Sequence, residues 1–411
     1  MQHPRRVLML APTSFFKDYG CHIRILEEAR ALIAQAVQVR IVTYYLGRDW
    51  PGLDIVRSRP TPWRTDYEVG SSRHKIAFDA LLSWRALEQT LKWRPHLIHG
   101  HLHEGALIGH VLSTLARVPL VFDFQGSLTG EMLDHGFVKA DSAAYAWWRR
   151  LEERIVDLPD AIITSTAHSA ALLRDEFGRQ HEVYPLHDSV NLDFVHPDCL
   201  TEPERCQLRR RWGVPEGRKV IVYLGLLADY QGIPQLLRAA VALRERGHPV
   251  TFLIMGFPAV DRYRHEATSL GLSAEDVIFT GQVPYEEMPH YLAVGDVAVA
   301  PKLSATEGSG KLLNYMGMGL PVVAYDSDVN REYLGDSGVY AAPLGDVSSL
   351  ADALAGVLDA PGKAGELGVQ LRERARCHFS WNQTGVDLLS IYEHLWEERG
   401  RRRDRAHGGS S

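Results

Sequence analysis

Residues 298–326 read AVAPKLSATEGSGKLLNYMGMGLPVVAYD, and the fold turns on this stretch. An apolar run that includes Val297 and Val299 has the character of a buried strand, and it breaks at Pro301. A short polar loop with Gly308 and Gly310 follows, and a helical pattern begins at Lys311. The helix leaves through Gly319 and Pro321 into a second apolar strand, Val322 to Tyr325. Strand, loop, helix, strand is the repeating unit of a parallel sheet. The loop delivers Glu307, Gly308, Ser309, Gly310 and Lys311 to the start of a helix. Backbone N–H groups point outward there and the helix dipole is positive, so an anion, phosphate above all, is favoured. The glycines let backbone approach a ligand with no Cβ in the way.

At these residues the chain resembles the retaining glycosyltransferases of family 4, which have the two-domain GT-B fold. The family signature is an acid, a Gly-rich turn, a helix carrying a second acid, then a small residue, Gly and an LPVV-like strand. Glu307, Gly308, Gly310, Met316, Gly319 and Leu320 to Val323 match it. The second acid is missing, because position 314 is Asn and position 315 is Tyr. Lys311 to Met316 (KLLNYM) fits a branch of the family with Lys, two apolar residues, an acid and Tyr-Met, Asn314 standing for the acid.

The resemblance implies an α/β protein of two Rossmann-like parallel-sheet domains facing across a cleft. The expected boundaries are an acceptor-binding domain over 1–197, a linker over 198–217 and a nucleotide-sugar-binding domain over 218–378. A terminal helix over 379–400 is expected to return to the first domain, ahead of a disordered tail, 401–411. The same resemblance assigns roles. Glu307 would orient the donor sugar, and Lys311 would neutralise the departing diphosphate; these are the catalytic candidates. Gly20, Gly225, Gln231, Gly281, Lys302, Gly308, Ser309, Gly310 and Asn314 would line the donor site. His101, Gln125 and Glu131 would line the acceptor side. Family members carry Arg and Lys after the first strand of the second domain, where this chain has Leu226 and Gln231. They often carry His where this chain has Gln125.

Outward from the motif, the pattern repeats in both halves. Val7 to Ala11, a Gly-bearing loop, a helix over about 23–36 and the strand Val39 to Tyr45 form one unit. Residues 46–72 read as an irregular excursion. A helix over about Lys75 to Trp93 mixes basic and aromatic residues with apolar ones, so it suits either the sheet or an anionic membrane surface. Leu97 to Gly100 runs into His99, His101 and His103. Alternating histidines suggest a metal, but strand-end geometry is expected to splay them to opposite faces with no Cys or Asp to complete a set. No metal or cofactor is expected. Ser165 or Thr166 is placed to cap a helix, and Asn330, Arg331 and Glu332 are expected to cap another.

A chain of 411 residues exceeds one ordinary core and suggests two domains. Hydrophobic content of 45% and charged content of 23% are those of a globular protein. A net charge of -6 disfavours nucleic acid. Cys21, Cys199, Cys206 and Cys377 lack metal spacing and read as free thiols. No apolar run reaches the ~18 residues of a membrane span, and no signal peptide precedes the first strand, so the chain reads as cytoplasmic, with peripheral contact at the inner membrane face. The leading function is metal-free retaining transfer of a sugar from a nucleotide-sugar to a glycan, lipid-linked or small-molecule acceptor. A nucleotide-sugar isomerase on the same scaffold, or a non-catalytic partner subunit that binds nucleotide-sugar or glycan, are the alternatives; Leu226, Gln231 and Asn314 motivate the latter. A nicotinamide-dependent dehydrogenase is set aside, since neither half carries G-x-G-x-x-G.

Overall fold

The computed structural model describes residues 5–17, 20–60, 75–134, 137–179, 182–303 and 310–408. The chain divides into two compact units, Met1–His187 with Trp381–Ser411, and Asp188–Ser380.

In the first unit the elements run β1 (Arg6–Ala11), α1 (Gly20–Ala34), β2 (Gln38–Thr43), β3 (Asp54–Arg57), α2 (Lys75–Trp93), β4 (Leu97–His101) and α3 (Leu102–Ala116). They continue as β5 (Leu120–Phe124), α4 (Leu128–Asp134), α5 (Ala143–Val156), β6 (Ala161–Thr164), α6 (Ala167–Asp175) and β7 (Val183–Pro185). The seven strands form one parallel sheet in the order β3-β2-β1-β4-β5-β6-β7. β4, β5 and β6 are buried along their whole length, as strands covered by helices on both faces must be. That is why they read as unbroken apolar runs rather than alternating ones.

In the second unit come α7 (Glu202–Arg211), β8 (Lys219–Leu224), α8 (Ile233–Glu245), β9 (Val250–Met255), α9 (Val260–Ser269), β10 (Val277–Gly281), α10 (Met288–Ala293) and β11 (Val297–Ala300). Then follow α11 (Gly310–Gly317), β12 (Val322–Tyr325), α12 (Asp328–Leu334), β13 (Val339–Ala341), α13 (Val347–Asp359) and α14 (Pro361–His378). The sheet is six-stranded and parallel, in the order β10-β9-β8-β11-β12-β13. Its main core gathers Ile221, Leu236, Phe252, Ile254, Val299, Val323 and Leu354. The last helix, α15 (Trp381–Gly408), packs on α1 of the first unit.

Several local expectations are corrected. Residues 46–72 are not wholly irregular, because β3 pairs in register with β2 through Arg40–Asp54 to Thr43–Arg57. The expected linker, 198–217, holds α7, whose Thr201 and Glu204 form a reciprocal capping box. The opening segment of the first unit runs to His187, where 197 was expected. The tail expected to be disordered continues helical to Gly408. Ser327, not Asn330, caps α12, accepting from the Asn330 N–H. Thr166 rather than Ser165 caps α6. All four cysteines are free.

On the first unit's α2, Asp79 accepts a 2.5 Å hydrogen bond from the Tyr44 hydroxyl. Burial pushes its carboxyl up from 3.8 to about 6, against the opposing pull of that hydroxyl. A folded-state value above the unfolded one means the native chain holds the proton more tightly. The stability from this site is therefore full below the ordinary carboxyl value and is lost as pH rises through about 6. Asp79→Asn should thus gain stability relative to the parent as pH rises. Urea midpoints of both proteins near about pH 4 and about pH 7.5 should show the gap widening at the higher pH.

Candidate active site

In open parallel sheets, ligands bind beyond the carboxyl ends of the strands, where the strand order reverses. In the second unit that reversal lies between β8 and β11. Gly225 follows β8 there, and Gly310 opens α11 after β11. Lys311, in the first turn of α11, bridges the two. Its Nζ lies 2.8 Å from Gln231 Oε1 and 3.1 Å from the Tyr223 hydroxyl, and 4.4 Å from the centre of the Tyr223 ring. Tyr223 in turn donates to the Leu226 carbonyl at 2.8 Å, which leaves its oxygen to accept from the ammonium.

Two glycines make room for this. A Cβ at Gly225 would sit 2.9 Å from Lys311 Nζ, and the backbone there has φ +146°. A Cβ at Gly232, φ +78°, would fall 1.8 Å from the Pro301 carbonyl oxygen. The short 3₁₀ turn Asp229–Gln231 is thereby pressed against the loop after β11, and Leu303 N–H donates to the Tyr230 carbonyl at 2.9 Å. Asp229 anchors the turn from outside, accepting from both Arg262 and the Tyr263 hydroxyl. Tyr315 fixes the strand ends: its hydroxyl accepts from Leu224 N–H at 2.7 Å and reaches the Val299 carbonyl at 3.4 Å.

The first unit has a second set of polar residues, at the carboxyl ends of β4 and β5. Arg24 Nε lies 3.0 Å from a carboxylate oxygen of both Glu28 and Asp123, and all three side chains are buried. Asp123 Oδ2 also takes His101 Nδ1 at 2.9 Å and Gln125 Nε2 at 2.7 Å. Burial alone would raise the Asp123 carboxyl, but the Arg24 guanidinium and His101 outweigh it and hold the group well below the usual range. His99 stacks on His101 with centroids 4.3 Å apart, and its Nδ1 is 2.6 Å from the Tyr392 hydroxyl of α15. Burial, then His101, lowers the His99 imidazole well below its ordinary value. The loop after β5 is set by buried Glu152, which accepts from the N–H groups of Leu128 and Thr129 and from Ser127.

The histidine expectation is corrected here. His99 and His101, two apart on a strand, share a face, and Glu28 and Asp123 join them with ligand atoms within 4.8 Å of one another. A carboxylate set does therefore exist. Arg24 already supplies its cation, lying at hydrogen-bonding distance from both carboxylates, and a divalent ion in the same space would face that guanidinium at close range.

Two family models match the chain: "Glycosyl transferase 4-like domain" over residues 19–187 and "Glycosyl transferases group 1" over 218–360. The chain is a family 4-type glycosyltransferase. It is 29% identical to a GDP-mannose-dependent alpha-(1-6)-phosphatidylinositol monomannoside mannosyltransferase of Mycolicibacterium smegmatis, over 60% of this chain and 65% of that one. It is 27% identical to the 2-deoxystreptamine glucosyltransferase of Streptomyces kanamyceticus, over 82% and 89%. In structure it resembles sucrose-phosphate synthase from Thermosynechococcus elongatus, with a TM-score of 0.81 at 19% identity over 96% and 100% of the two chains. The two parallel sheets with flanking helices are those of GT-B glycosyltransferases.

Measured against this family, the expected residues fall into distinct groups. Gly225, Gln231 and Lys311 come together as described. Lys302 is buried in the neighbouring loop. Gly310 is the exposed first residue of α11, and half-buried Asn314 lies one turn on. Gly281 closes β10 with φ +78°. Glu307, Gly308 and Ser309 lie outside the described residues. In the first unit Gly20 opens α1 and Glu131 lies half-buried on α4. His101 is fully buried, against Asp123 and His99. Gln125 is half-buried. A carboxylate can only accept, so the Gln125 amide turns its NH2 inward to Asp123 and its oxygen the other way.

Tyr223, Arg24 and Glu28 drew no notice in the sequence, nor did the hydrogen-bonding role of Tyr315. Their common signal is a polar tip or charge inside an otherwise apolar strand or helix face, which in a buried element demands a partner.

Arg24→Met would leave the Glu28 and Asp123 carboxylates uncompensated in a dry interior, and should cost about 3–5 kcal/mol of stability. Gln125→Ala removes one hydrogen bond at a half-buried site and should cost about 1 kcal/mol. Urea denaturation of the two variants side by side checks the contrast.

Proposed function

We propose that this chain is a retaining hexosyltransferase that moves a sugar from a nucleotide-sugar to an acceptor hydroxyl, with no metal. The observation that carries the reading is the seating of Lys311 against Gly225 at the reversal point of the second sheet. In the reaction, the bond from the sugar's anomeric carbon to the diphosphate oxygen breaks. The acceptor oxygen bonds to that carbon, and its proton passes to the released diphosphate. Charge grows on the diphosphate as the bond lengthens, and a fixed ammonium beside a helix N-terminus stabilises it where it develops. The KLLNYM helix would be the donor-site helix of the family branch, with Glu307 orienting the sugar and Asn314 hydrogen-bonding a ribose hydroxyl.

The relatives' names span a lipid-linked acceptor, phosphatidylinositol monomannoside, and a small aminocyclitol, 2-deoxystreptamine. For a lipid-linked acceptor we place the enzyme at the inner face of the membrane, resting on α2. Ile76, Trp84 and Leu91 of that helix are 79%, 64% and 59% exposed, and among the described residues no helix is long and apolar enough to cross a bilayer. Co-sedimentation with phosphatidylglycerol vesicles tests this contact: Trp84→Glu should reduce the bound fraction, and equal binding by parent and variant would refute it.

The test of the activity is calorimetric titration with UDP, GDP and ADP. One of them should bind the parent protein, and Lys311→Ala should weaken it about tenfold or more. Failure of all three at millimolar concentration would overturn the reading.

A further inference from the structure

Lys311 and Gln231 are coupled by the chemistry of their contact. An ammonium only donates, so the 2.8 Å contact requires the Gln231 amide to turn its oxygen toward Lys311. Its NH2 then faces away. Among the described residues that nitrogen has no hydrogen-bond partner, and it is not a buried orphan. The side chain has little freedom to turn back, since Gln231 is 7% exposed in a turn locked by Asp229 outside and the Gly232–Pro301 contact within. Tyr223 completes the cage: its one proton is committed to the Leu226 carbonyl, so it too holds the ammonium as an acceptor.

We infer that Gln231 is the positioning residue for Lys311, and that its outward amide N–H groups and the ammonium act as one donor unit for the diphosphate of a nucleotide-sugar. This rests on the function proposed above. It assigns a dual task to a position where the sequence showed only the loss of a family cation. The oxygen aims Lys311, and the nitrogen meets the ligand directly.

A double-mutant cycle on nucleoside diphosphate affinity tests it, using whichever of UDP, GDP and ADP the parent protein binds. Gln231→Met removes both the acceptor and the donors, and should weaken binding about tenfold. Gln231→Glu keeps an acceptor for Lys311 but has no N–H groups and cancels the charge, so it should bind no better than Gln231→Met. If Gln231 acts partly through Lys311, Gln231→Met should cost clearly less in a Lys311→Met background than in the parent, the remaining loss being that of its own N–H groups. Gln231→Asn, which withdraws the amide but alters the turn least, should follow Gln231→Met and covers the case in which that variant fails to fold. Additive losses in the cycle, with parent binding intact, would overturn the positioning role alone. Parent-like affinity in Gln231→Glu would overturn the donor role of the amide. Absence of any nucleotide binding by the parent would remove the underlying function and this inference together.

Discussion

The ammonium of Lys311 stands where a side chain on residue 225 would begin. With a Cβ built on Gly225 the two atoms would be 2.9 Å apart and the lysine tip would have to move aside, so this glycine lets Lys311 rest in the position it takes. The rest of that end of the sheet follows. β8 must stop at Leu224 for the backbone to turn at φ +146°, and the Leu224 N–H, left without a ladder partner, is taken by the Tyr315 hydroxyl from α11. Tyr315 is on the same helix as Lys311, one turn on. The contact that satisfies the strand end therefore also sets the height from which Lys311 reaches across. A buried N–H without a partner costs as much as a lost hydrogen bond, so the pairing of strand end and helix resists slippage.

The first unit obeys a different constraint, that of charge in a dry interior. Glu28 and Asp123 are fully buried, and two such carboxylates persist only if a cation and hydrogen bonds answer them. Arg24 answers both. Because Arg24 and Glu28 are on α1, Asp123 on β5, His99 and His101 on β4 and Tyr392 on α15, this one cluster fixes four elements relative to one another. Gln125 inherits its orientation from it. The position that in the family often carries a titratable imidazole is here a neutral carbonyl held outward by a carboxylate with no free choice of role.

What could be read from sequence followed from how local each feature is. α2 and β12 fall where their apolar patterns place them, because period and punctuation are properties of adjacent residues. β3 escaped notice: its four residues are only half-buried or exposed, and it is a strand by virtue of pairing with β2. The face shared by His99 and His101 was misjudged, although alternation along a strand puts residues two apart on one side. Their partners Glu28 and Asp123 are distant in sequence, and no spacing rule joins them. The motif over 298–326 was legible as a strand–loop–helix–strand unit. Its decisive contacts, from Lys311 back to Tyr223 and Gln231, cross about eighty residues of chain and depend on the order of strands in the sheet.

That distance bears on how the departures from the family pattern are to be understood. Taken singly, Leu226 and Gln231 in place of cations read as decay of an anion site. Taken with Lys311 they form one arrangement. Two unit positive charges about 4 Å apart repel by about 4 kcal/mol at an effective dielectric constant of about 20. A lysine at 231 beside the ammonium of Lys311 would incur a penalty of that kind until a ligand arrived. It would also remove the acceptor that holds Lys311 in place. A glutamine is the side chain of matching length that accepts from one neighbour while offering donors to another. Tyr223 adds a ring face and a second acceptor without adding charge. Among the described residues Lys311 is thus caged by two acceptors before any ligand binds, with Lys302 buried in the loop beside it. A caged cation forfeits little rotamer freedom on binding, which offsets part of the attraction lost with the second charge.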